Sequence, residues 1–380
     1  MKTLITTLSC ITLILSFIND SSACTAMMVK DVNGNTYVAR THEFSGVLPD
    51  VMNYVPAGSL IESQAPDGKQ GITFKTKYPF VAVSLENMTP NAKQSAVHEG
   101  LNDQGMSLSL LEFQGARGPS IDSDASKILS VVDLGSWILG NFQNVDQVKQ
   151  AIQKKQINIW LPQIPLIGNL PAPAHFAVFD KTGAGIVIEF NNGKVDVYNN
   201  TAGVLANGPD FPWHLQNLNN YAQLSNLDHN SGNFGVLKVT APDSGNALAG
   251  LPSSQISPGR FVKAAFYSTY ARKGKTPSEA ILTLSHVINN FDRPYDLSVD
   301  LPSTAGGGES DHPHAVNSEV TYFTALKDLS QGQFYIRTIN ALNFSKIDLP
   351  RLADVKGMKK VPLAKVDALG GADATELFMK

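Results

Sequence analysis

Alternating hydrophobic and polar positions occupy long stretches of the chain and predict antiparallel strands. The segment CTAMMVKDVNGNTYVARTHEF (24–44) is typical of two strands joined at Asn33-Gly34, a dipeptide that favours tight hairpin turns. The same pattern recurs in GITFKTKYPFVAVSLEN, SAVHEGLNDQGMSLSLLEFQG, AHFAVFDKTGAGIVIEFNNGKVDVYNN and SEVTYFTALKDLSQGQFYIRTIN. Hairpins are therefore expected at both ends of the region that follows Cys24.

Between the strand blocks, apolar residues recur with the spacing of a helix face. The segments with this pattern are ASKILSVVDLGSWILGNF (125–142), VDQVKQAIQKK, FPWHLQNLNNYAQL, SPGRFVKAAFYSTYARKG and TPSEAILTLSHVINNF. Antiparallel strands with helices inserted between them predict sheet layers covered by helices, an α+β fold. Residues 303–319 have the composition of a flexible loop, and the segment after Asn343 is polar with little pattern.

The first 23 residues have the organisation of a secretory signal peptide. Lys2 precedes an apolar run at 4–18, and Ser21 and Ala23 supply the small residues that signal peptidase needs. A membrane anchor is the alternative, but the run is shorter than the ~20 residues that span a bilayer. Cleavage after Ala23 makes Cys24 the first residue, and the protein is then expected in the periplasm or outside the cell.

Composition supports one globular, enzyme-sized domain after the signal peptide at 1–23, although the remaining length would also allow two domains. The chain is 43% hydrophobic and 17% charged, with a formal net charge of −3. This balance does not favour nucleic acid or stable membrane insertion as partners. Only Cys10 and Cys24 are cysteines, so cleavage leaves one thiol and no intrachain disulfide.

A cysteine at the first position carries both a thiol and a free α-amino group. Because the amine has an ordinary pKa of about 7.7–8.0, it can accept the thiol proton without a histidine. Such a residue can attack an acyl carbon and form a thioester. Arg40 and Glu43 lie on the second strand of the first hairpin, where antiparallel pairing brings them near Cys24. Spacing alone favours a plainer interpretation, in which both side chains face solvent.

The opening segment, CTAMMVKDVNGNTYVARTHEF, resembles that of the choloylglycine hydrolases, the bile salt hydrolase and penicillin V acylase group of N-terminal-nucleophile hydrolases. Four further segments resemble family segments in the same order: HEGLNDQGMSLSLLEFQG, VLANGPDFPWHLQNLNNY, GLPSSQISPGRFVKAAF and EVTYFTALKDLSQGQFYIRT. The resemblance implies a four-layer αββα sandwich of two antiparallel sheets. The similar segments extend from Cys24 to about Ile347, which implies an amidase domain at 24–347 followed by a C-terminal tail at 348–380. It also implies an amidase that cleaves linear C–N bonds and needs no cofactor or metal.

Residue by residue, the resemblance implies five catalytic positions. Cys24 would be the nucleophile, Arg40 would favour its thiolate, and Glu43 would accept from its amine. Asn207 would donate its side-chain amide to the oxyanion, and Arg260 would hold the hydrogen-bond network. Without the resemblance, Asn207 would be interpreted as a turn residue and Arg260 as a surface arginine.

Three positions depart from the family pattern. Glu43 replaces the usual Asp and is longer by one C–C bond, about 1.5 Å. Glu112 stands where bile salt hydrolases carry Asn and penicillin V acylases often carry Tyr, and its carboxylate is expected to disfavour a thiolate or an anionic substrate group nearby. Phe44 follows the acid where exported penicillin V acylases have Trp. We expect Glu112 and Phe44 to line the substrate site.

The family implies three classes of small-molecule substrate: penicillin V, conjugated bile salts and N-acyl homoserine lactones. It also suggests a homo-oligomer, often a tetramer. Two other hypotheses remain: a lipoprotein or binding module with Cys24 as lipid anchor, and a papain-like site that pairs Cys24 with a distant histidine. The motif Asp311-His312-Pro313-His314 has too few ligands nearby for a metal site and is interpreted as loop.

Overall fold

The structure is a computed structural model, and it describes residues 23–45, 48–121, 124–299 and 318–380. The predicted signal peptide, apart from Ala23, lies outside the described residues, as does Asp311-His312-Pro313-His314. Nearly all of the predicted loop at 303–319 also lies outside them. Among the helices that are described, none is both long and apolar enough to cross a bilayer.

Two antiparallel sheets form the centre of the fold. In spatial order, the six-stranded sheet contains β16 (Val204–Ala206), β1 (Cys24–Lys30), β2 (Thr36–Ser45), β19 (Glu319–Asp328), β20 (Gln333–Thr338) and β21 (Ser345–Asp348). The eight-stranded sheet contains β15 (Lys194–Asn199), β14 (Gly185–Asn191), β13 (Ala174–Asp180), β8 (Met106–Glu112), β7 (Ala96–Asn102), β6 (Phe80–Leu85), β3 (Asp50–Val55) and β22 (Lys359–Pro362).

Shorter strands pair outside the two large sheets. They are β4 (Leu60–Gln64) with β5 (Gln70–Lys75), β9 (Ile128–Ser130) with β10 (Asn158–Trp160), β11 (Gln163–Ile164) with β12 (Leu170–Pro171), and β17 (Ser231–Phe234) with β18 (Leu237–Thr240). The helices are α1 (Leu134–Asn141), α2 (Val145–Gln153), α3 (Phe211–Asn217), α4 (Ser257–Tyr270), α5 (Pro277–Ile288) and α6 (Leu363–Asp367).

Helices cover the outer face of each sheet, which confirms the predicted four-layer αββα arrangement. Helix α4 packs on β1 and β16, and α5 packs on β2 and β19 of the six-stranded sheet. On the other side, α1 packs on β7 and β8, and α2 packs on β13 and β14. The two sheets face each other at the centre, where β1 and β2 contact β8.

The predicted opening hairpin is confirmed, and it sets the register of the site. Strands β1 and β2 pair from Lys30 opposite Thr36 to Cys24 opposite His42, with Gly34 in the turn at a positive φ of 86°. This left-handed conformation is one that glycine adopts without steric cost. The first residue of β1 therefore lies at the far end of the hairpin from its turn.

The structure differs from the sequence prediction in two segments. Residues 125–142, predicted as one helix, contain β9 before α1, because Ile128–Ser130 pairs in parallel with Asn158–Trp160. Residues 348–380, predicted as a tail, are part of the sandwich. Strand β22 pairs with β3, and Val361 and Phe378 are buried in the core.

Candidate active site

Cys24 begins β1 and is buried between the layers, with 1% of its surface exposed. Its backbone nitrogen, which in the full chain is an amide nitrogen bonded to Ala23, donates to Oδ1 of Asn207 over 2.6 Å. Its carbonyl oxygen accepts from Nη1 of Arg260. Main-chain contacts on both sides thus fix the residue that carries the thiol.

Arg40 projects from β2 toward the thiol and is fully buried. Its Nη2 lies 3.4 Å from Sγ of Cys24, 2.6 Å from Nδ1 of His42 and 2.7 Å from the carbonyl oxygen of Leu110. Its Nη1 lies 3.2 Å from Nδ1 of His98. The guanidinium is therefore held beside the sulfur by contacts to both sheets.

Asn207 follows β16, and contacts to its backbone carbonyl group hold it in place. Its carbonyl oxygen lies 2.8 Å from Nε2 of His214 and accepts from Oγ of Ser257 over 2.7 Å. Its side-chain oxygen accepts from Nη2 of Arg260 over 2.8 Å, and its side-chain nitrogen donates to the carbonyl oxygen of Glu112 over 2.8 Å. The resemblance implies donation of this amide to an oxyanion. One of its two N–H groups here binds the carbonyl oxygen of Glu112, and the donation itself stays a prediction.

Glu43 is buried on β2, where its Oε1 accepts from the hydroxyl of Thr321 over 3.0 Å. Burial raises the pKa of Glu43 to about 7, although the positive charges of Arg260 and Arg293 and a hydrogen bond with Thr41 oppose the increase. The carboxyl group therefore titrates near neutral pH.

The thiol is held mainly in its protonated form. Burial raises the pKa of the Cys24 thiol above its ordinary value, and the negative charge of Glu43 raises it further. The Arg40 guanidinium opposes both effects. Formation of a thiolate at this position would therefore require a base.

Two cavities share Glu112 in their linings, and one of them also contains Cys24. The first has a volume of about 120 Å³ and is lined mostly by apolar side chains together with Cys24, Phe44 and Glu112. The second has a volume of about 770 Å³ and contains Ala23, Glu112 and several further polar and charged residues. The predicted positions of Glu112 and Phe44 at the substrate site are consistent with this lining.

The structure brings all seven predicted site residues into one region. Arg40 and Glu43 are fully buried and Arg260 is 2% exposed, so their interpretation as surface residues is wrong. Cys24, Arg40, Asn207 and Arg260 are joined by direct hydrogen bonds, Glu43 lies close enough to act on the thiol electrostatically, and Phe44 and Glu112 border the cavities.

Sequence reasoning missed His42, whose Nδ1 lies 3.7 Å from Sγ of Cys24. The signal was present in the opening hairpin, because a turn centred on Asn33 places residue 42 opposite residue 24. For metals, the described part of the chain contains no cluster of three or more His, Cys, Asp or Glu residues suited to an ion.

Residues 24–357 match the model of the linear amide C-N hydrolases, choloylglycine hydrolase family. The chain belongs to this family. It is therefore a hydrolase that acts on the C–N bonds of linear amides, and the matched region begins at Cys24 and extends ten residues beyond the predicted domain boundary at 347.

Individual relatives agree with the family match. The bile salt hydrolase/transferase of Clostridium perfringens is 30% identical over 258 residues, which are 66% of this chain and 73% of that protein. The penicillin V acylase of Pectobacterium atrosepticum is 23% identical over 347 residues, 87% of this chain and 82% of that protein. A crystal structure of a variant of the C. perfringens conjugated bile acid hydrolase shares the fold, with a TM-score of 0.74 at 23% identity over 89% of this chain and 97% of that one.

Proposed function

We propose that the protein is an exported amidase in which Cys24, freed by removal of residues 1–23, is an N-terminal nucleophile. The observation that carries the proposal is the pairing of the Cys24 nitrogen with Asn207 Oδ1 at 2.6 Å while Arg40 lies 3.4 Å from the sulfur. In the full chain this nitrogen is an amide and has no basicity. Cleavage after Ala23 converts it to an amine at the same place.

The proposed reaction begins when the amine of Cys24 accepts the thiol proton and Sγ bonds to the carbonyl carbon of the substrate. The ammonium then protonates the leaving nitrogen, the C–N bond breaks and a thioester remains. Water attacks the thioester with the amine again as base, the acid leaves, and the thiol regains its proton. Asn207 and Arg260 hold the nitrogen and the carbonyl group of Cys24 throughout.

The geometry supports the amine, and not His42, as the base. His42 lies close to the sulfur, but its Nδ1 faces the Arg40 guanidinium at 2.6 Å. Burial lowers the pKa of His42 well below its ordinary value, and the charge of Arg40 lowers it further. Protonation of this imidazole beside a guanidinium is unfavourable, which argues against a papain-like pair.

The volume of the apolar cavity supports a substrate with a compact or flexible acyl group. Its volume of about 120 Å³ approaches the ~150 Å³ of an engineered apolar cavity that binds benzene. A phenoxyacetyl group or the first carbons of an alkyl chain suit this space better than a steroid nucleus. Penicillin V and N-acyl homoserine lactones are therefore proposed ahead of conjugated bile salts.

The charges that line the polar cavity support a substrate whose amine portion is uncharged. Ala23, which is joined to the Cys24 nitrogen that would protonate the leaving group, lines this cavity. Its position supports assigning the leaving amine to the same cavity. The charged lining residues are Glu112, Asp210, Glu319, Arg260 and Arg293, three acidic and two basic. Among the proposed substrates, the neutral homoserine lactone matches this excess of negative charge better than an anionic amine does.

The test begins with the intact mass of protein recovered from an exporting host, which should match Cys24–Lys380 with an unmodified amine. Turnover is then measured for penicillin V, glyco- and tauro-conjugated bile salts and N-acyl homoserine lactones. Cys24→Ala should abolish hydrolysis while thermal unfolding stays cooperative. Retained turnover in Cys24→Ala would contradict the proposal.

The mass also tests the lipid-anchor alternative, which predicts an added diacylglyceryl group. The burial of Cys24 argues against that alternative, because a lipid-bearing first residue must reach the membrane, whereas this one is 1% exposed. An acylated amine would also lose its function as a base.

We further propose that the protein forms homo-oligomers, with tetramers the expected state, through the hairpin β17–β18. Both strands are exposed, and Phe234 and Leu237 are 76% and 61% exposed. Because an isolated two-stranded hairpin is marginal in water, a second copy is the proposed cover. Sedimentation of the wild type and of a Phe234→Ser, Leu237→Ser variant tests this: the variant should be monomeric, and an unchanged mass would contradict it.

A further inference from the structure

We propose that His42 is a positioning residue that competes with the Cys24 sulfur for the Nη2 hydrogens of Arg40, so that the thiol keeps its proton until the amine removes it. The inference rests on the proposed function of Cys24 and concerns how its thiol is tuned.

His42 occupies a place that the hairpin register fixes. It pairs directly with Cys24 across β1 and β2, and it is 6% exposed. Its ring stacks on Phe323 with a centroid distance of 5.0 Å and an interplanar angle of 22°. Backbone pairing and ring stacking thus hold Nδ1 beside both the sulfur and the guanidinium.

The Nη2 group of Arg40 has more acceptors than hydrogens. It carries two hydrogens, yet three acceptors surround it: Nδ1 of His42 at 2.6 Å, the carbonyl oxygen of Leu110 at 2.7 Å and Sγ of Cys24 at 3.4 Å. The three acceptors therefore share two hydrogens, and the two shorter contacts are those to His42 and Leu110. Sγ of Cys24 therefore has the longest, and so the weakest, of these three contacts. Among the described residues, Arg40 is the only cation that contacts the sulfur directly.

The chemistry of the pair settles the form of His42. A guanidinium only donates, so Nδ1 must accept and the single ring proton lies on Nε2. Adding a proton to Nδ1 would place two donors face to face at 2.6 Å. His42 thus remains a neutral acceptor and competes with the thiolate for Arg40.

Other contacts keep Arg40 in place without His42. Its Nη1 contacts Nδ1 of His98 at 3.2 Å and lies 3.8 Å from Oε2 of Glu99, and its Nη2 still has Leu110. His98 is itself fixed by Asp50, 2.8 Å from Nε2. Loss of the imidazole acceptor therefore leaves the guanidinium where it is and frees one Nη2 hydrogen for the sulfur.

A hydrogen bond to the charged form of a group favours that form, so the freed hydrogen should lower the pKa of the thiol. The other titratable or charged groups around Cys24 and Arg40, on every packed element, are Glu43, Asp50, His98, Glu99, Glu112, Arg260 and Lys327. All of them stay the same when only residue 42 is changed. A difference in the pKa of the Cys24 thiol between variants at position 42 can therefore be assigned to the loss of the imidazole.

The experiment compares processed wild-type protein with His42→Leu and His42→Asn. Asn carries Oδ1 on the same side-chain carbon from which Nδ1 of His branches, so it retains an acceptor for Arg40, whereas Leu does not. The rate of thiol alkylation by iodoacetamide is followed against pH, with Cys24→Ala as the blank. The Leu variant should show about tenfold more thiolate at a fixed pH on the rising limb, one unit of pKa, and Asn should return the curve toward wild type.

The acid limb of kcat/KM should move to lower pH in the Leu variant, a change that a merely structural role would not produce. An unchanged or higher thiol pKa in His42→Leu overturns the proposal, and so does an Asn variant that behaves like Leu. If His42→Leu fails to fold, His42→Met replaces it, since a flexible thioether fills irregular gaps. Alkylation does not need turnover, so amidase activity retained by Cys24→Ala would refute the proposed function while the comparison at residue 42 still stands.

Discussion

The backbone nitrogen of Cys24 donates to Oδ1 of Asn207 although 183 positions separate the two residues in the chain. The same oxygen accepts from Arg260, and the amide nitrogen of Asn207 donates to the carbonyl oxygen of Glu112. Because a guanidinium cannot accept, the amide has only one orientation that satisfies all three contacts. An acceptor is therefore already in place at the nitrogen that the proposed cleavage would convert to an amine.

Replacing Asn207 with Ala should lower kcat about 100-fold, because a small misplacement of a catalytic group has effects of this size. The measurement is steady-state kinetics of amide hydrolysis by processed protein. Asn200→Ala is the matched control, since Asn200 is also buried but its side chain, among the described residues, bonds with the backbone of Val204 and not with Cys24. The control should lose thermal stability and retain kcat, and equal losses of kcat in both variants would contradict the assignment.

Glu43→Gln should change how stability depends on pH. Burial raises the pKa of Glu43 from an ordinary 4.5 to about 7 in the folded chain. The folded state then binds this proton more tightly than the unfolded state, so the stabilising contribution is complete below about pH 4.5 and is lost as the pH rises through about 7. Across that window, wild type should lose up to about 3 kcal/mol of unfolding free energy relative to Glu43→Gln.

Urea unfolding of the full chain, in which no ammonium faces the carboxylate, gives the required free energies at several pH values. The two proteins should have similar stability at pH 4 and diverge toward pH 8, with the variant the more stable. Parallel curves over the whole range would show that Glu43 has an ordinary pKa.

Leu166→Ala should broaden the range of acyl groups. Leu166 lines the apolar cavity and is 42% exposed, so its truncation opens the cavity wall with little cost to folding. The ratio of kcat/KM for an octanoyl amide over a phenoxyacetyl amide should rise roughly tenfold. Leu170→Ala is the control, because Leu170 is similarly exposed at 40% and does not line the cavity. The same change in both variants would refute the assignment of this cavity to the acyl group.

The structural features that residue patterns predicted correctly are those that local contacts determine. The hairpin of β1 and β2 follows from alternation and from its Asn-Gly turn, and with it the approach of Arg40 to Cys24. The burial of Arg40 does not follow from spacing, because the groups that cover it, Glu99 and Leu110, belong to the opposite sheet. The alternation of hydrophobic and polar residues in β2 predicts that one face of the strand is buried. The other face is buried by the second sheet, which the sequence of β2 does not reveal.

Long-range pairing explains the remaining differences. Ile128–Ser130 has helical spacing but takes a strand conformation because Asn158–Trp160 offers a partner. In the C-terminal segment, Val361 and Phe378 stand among polar residues without a period, yet both are buried. Val361 lies on β22, whose partner strand β3 is some 300 positions earlier. The positions of Asn207 and Arg260 came from resemblance, since no local signal links either residue to Cys24.

Glu112 should select against anionic leaving groups. Glu112 borders both cavities, and its backbone oxygen is fixed by Asn207. Under the proposed assignment of the two cavities, it lies where the acyl and amine portions of the substrate would join. Like charges several ångströms apart near a protein surface repel by about 1–2 kcal/mol, roughly tenfold in rate. Glu112→Gln should therefore raise kcat/KM for phenoxyacetyl-glycine about tenfold and leave that for phenoxyacetyl-glycinamide nearly unchanged. The two substrates share the acyl group and differ only in the charge of the amine portion, so an equal rise for both would mean that residue 112 acts through shape or through the thiol.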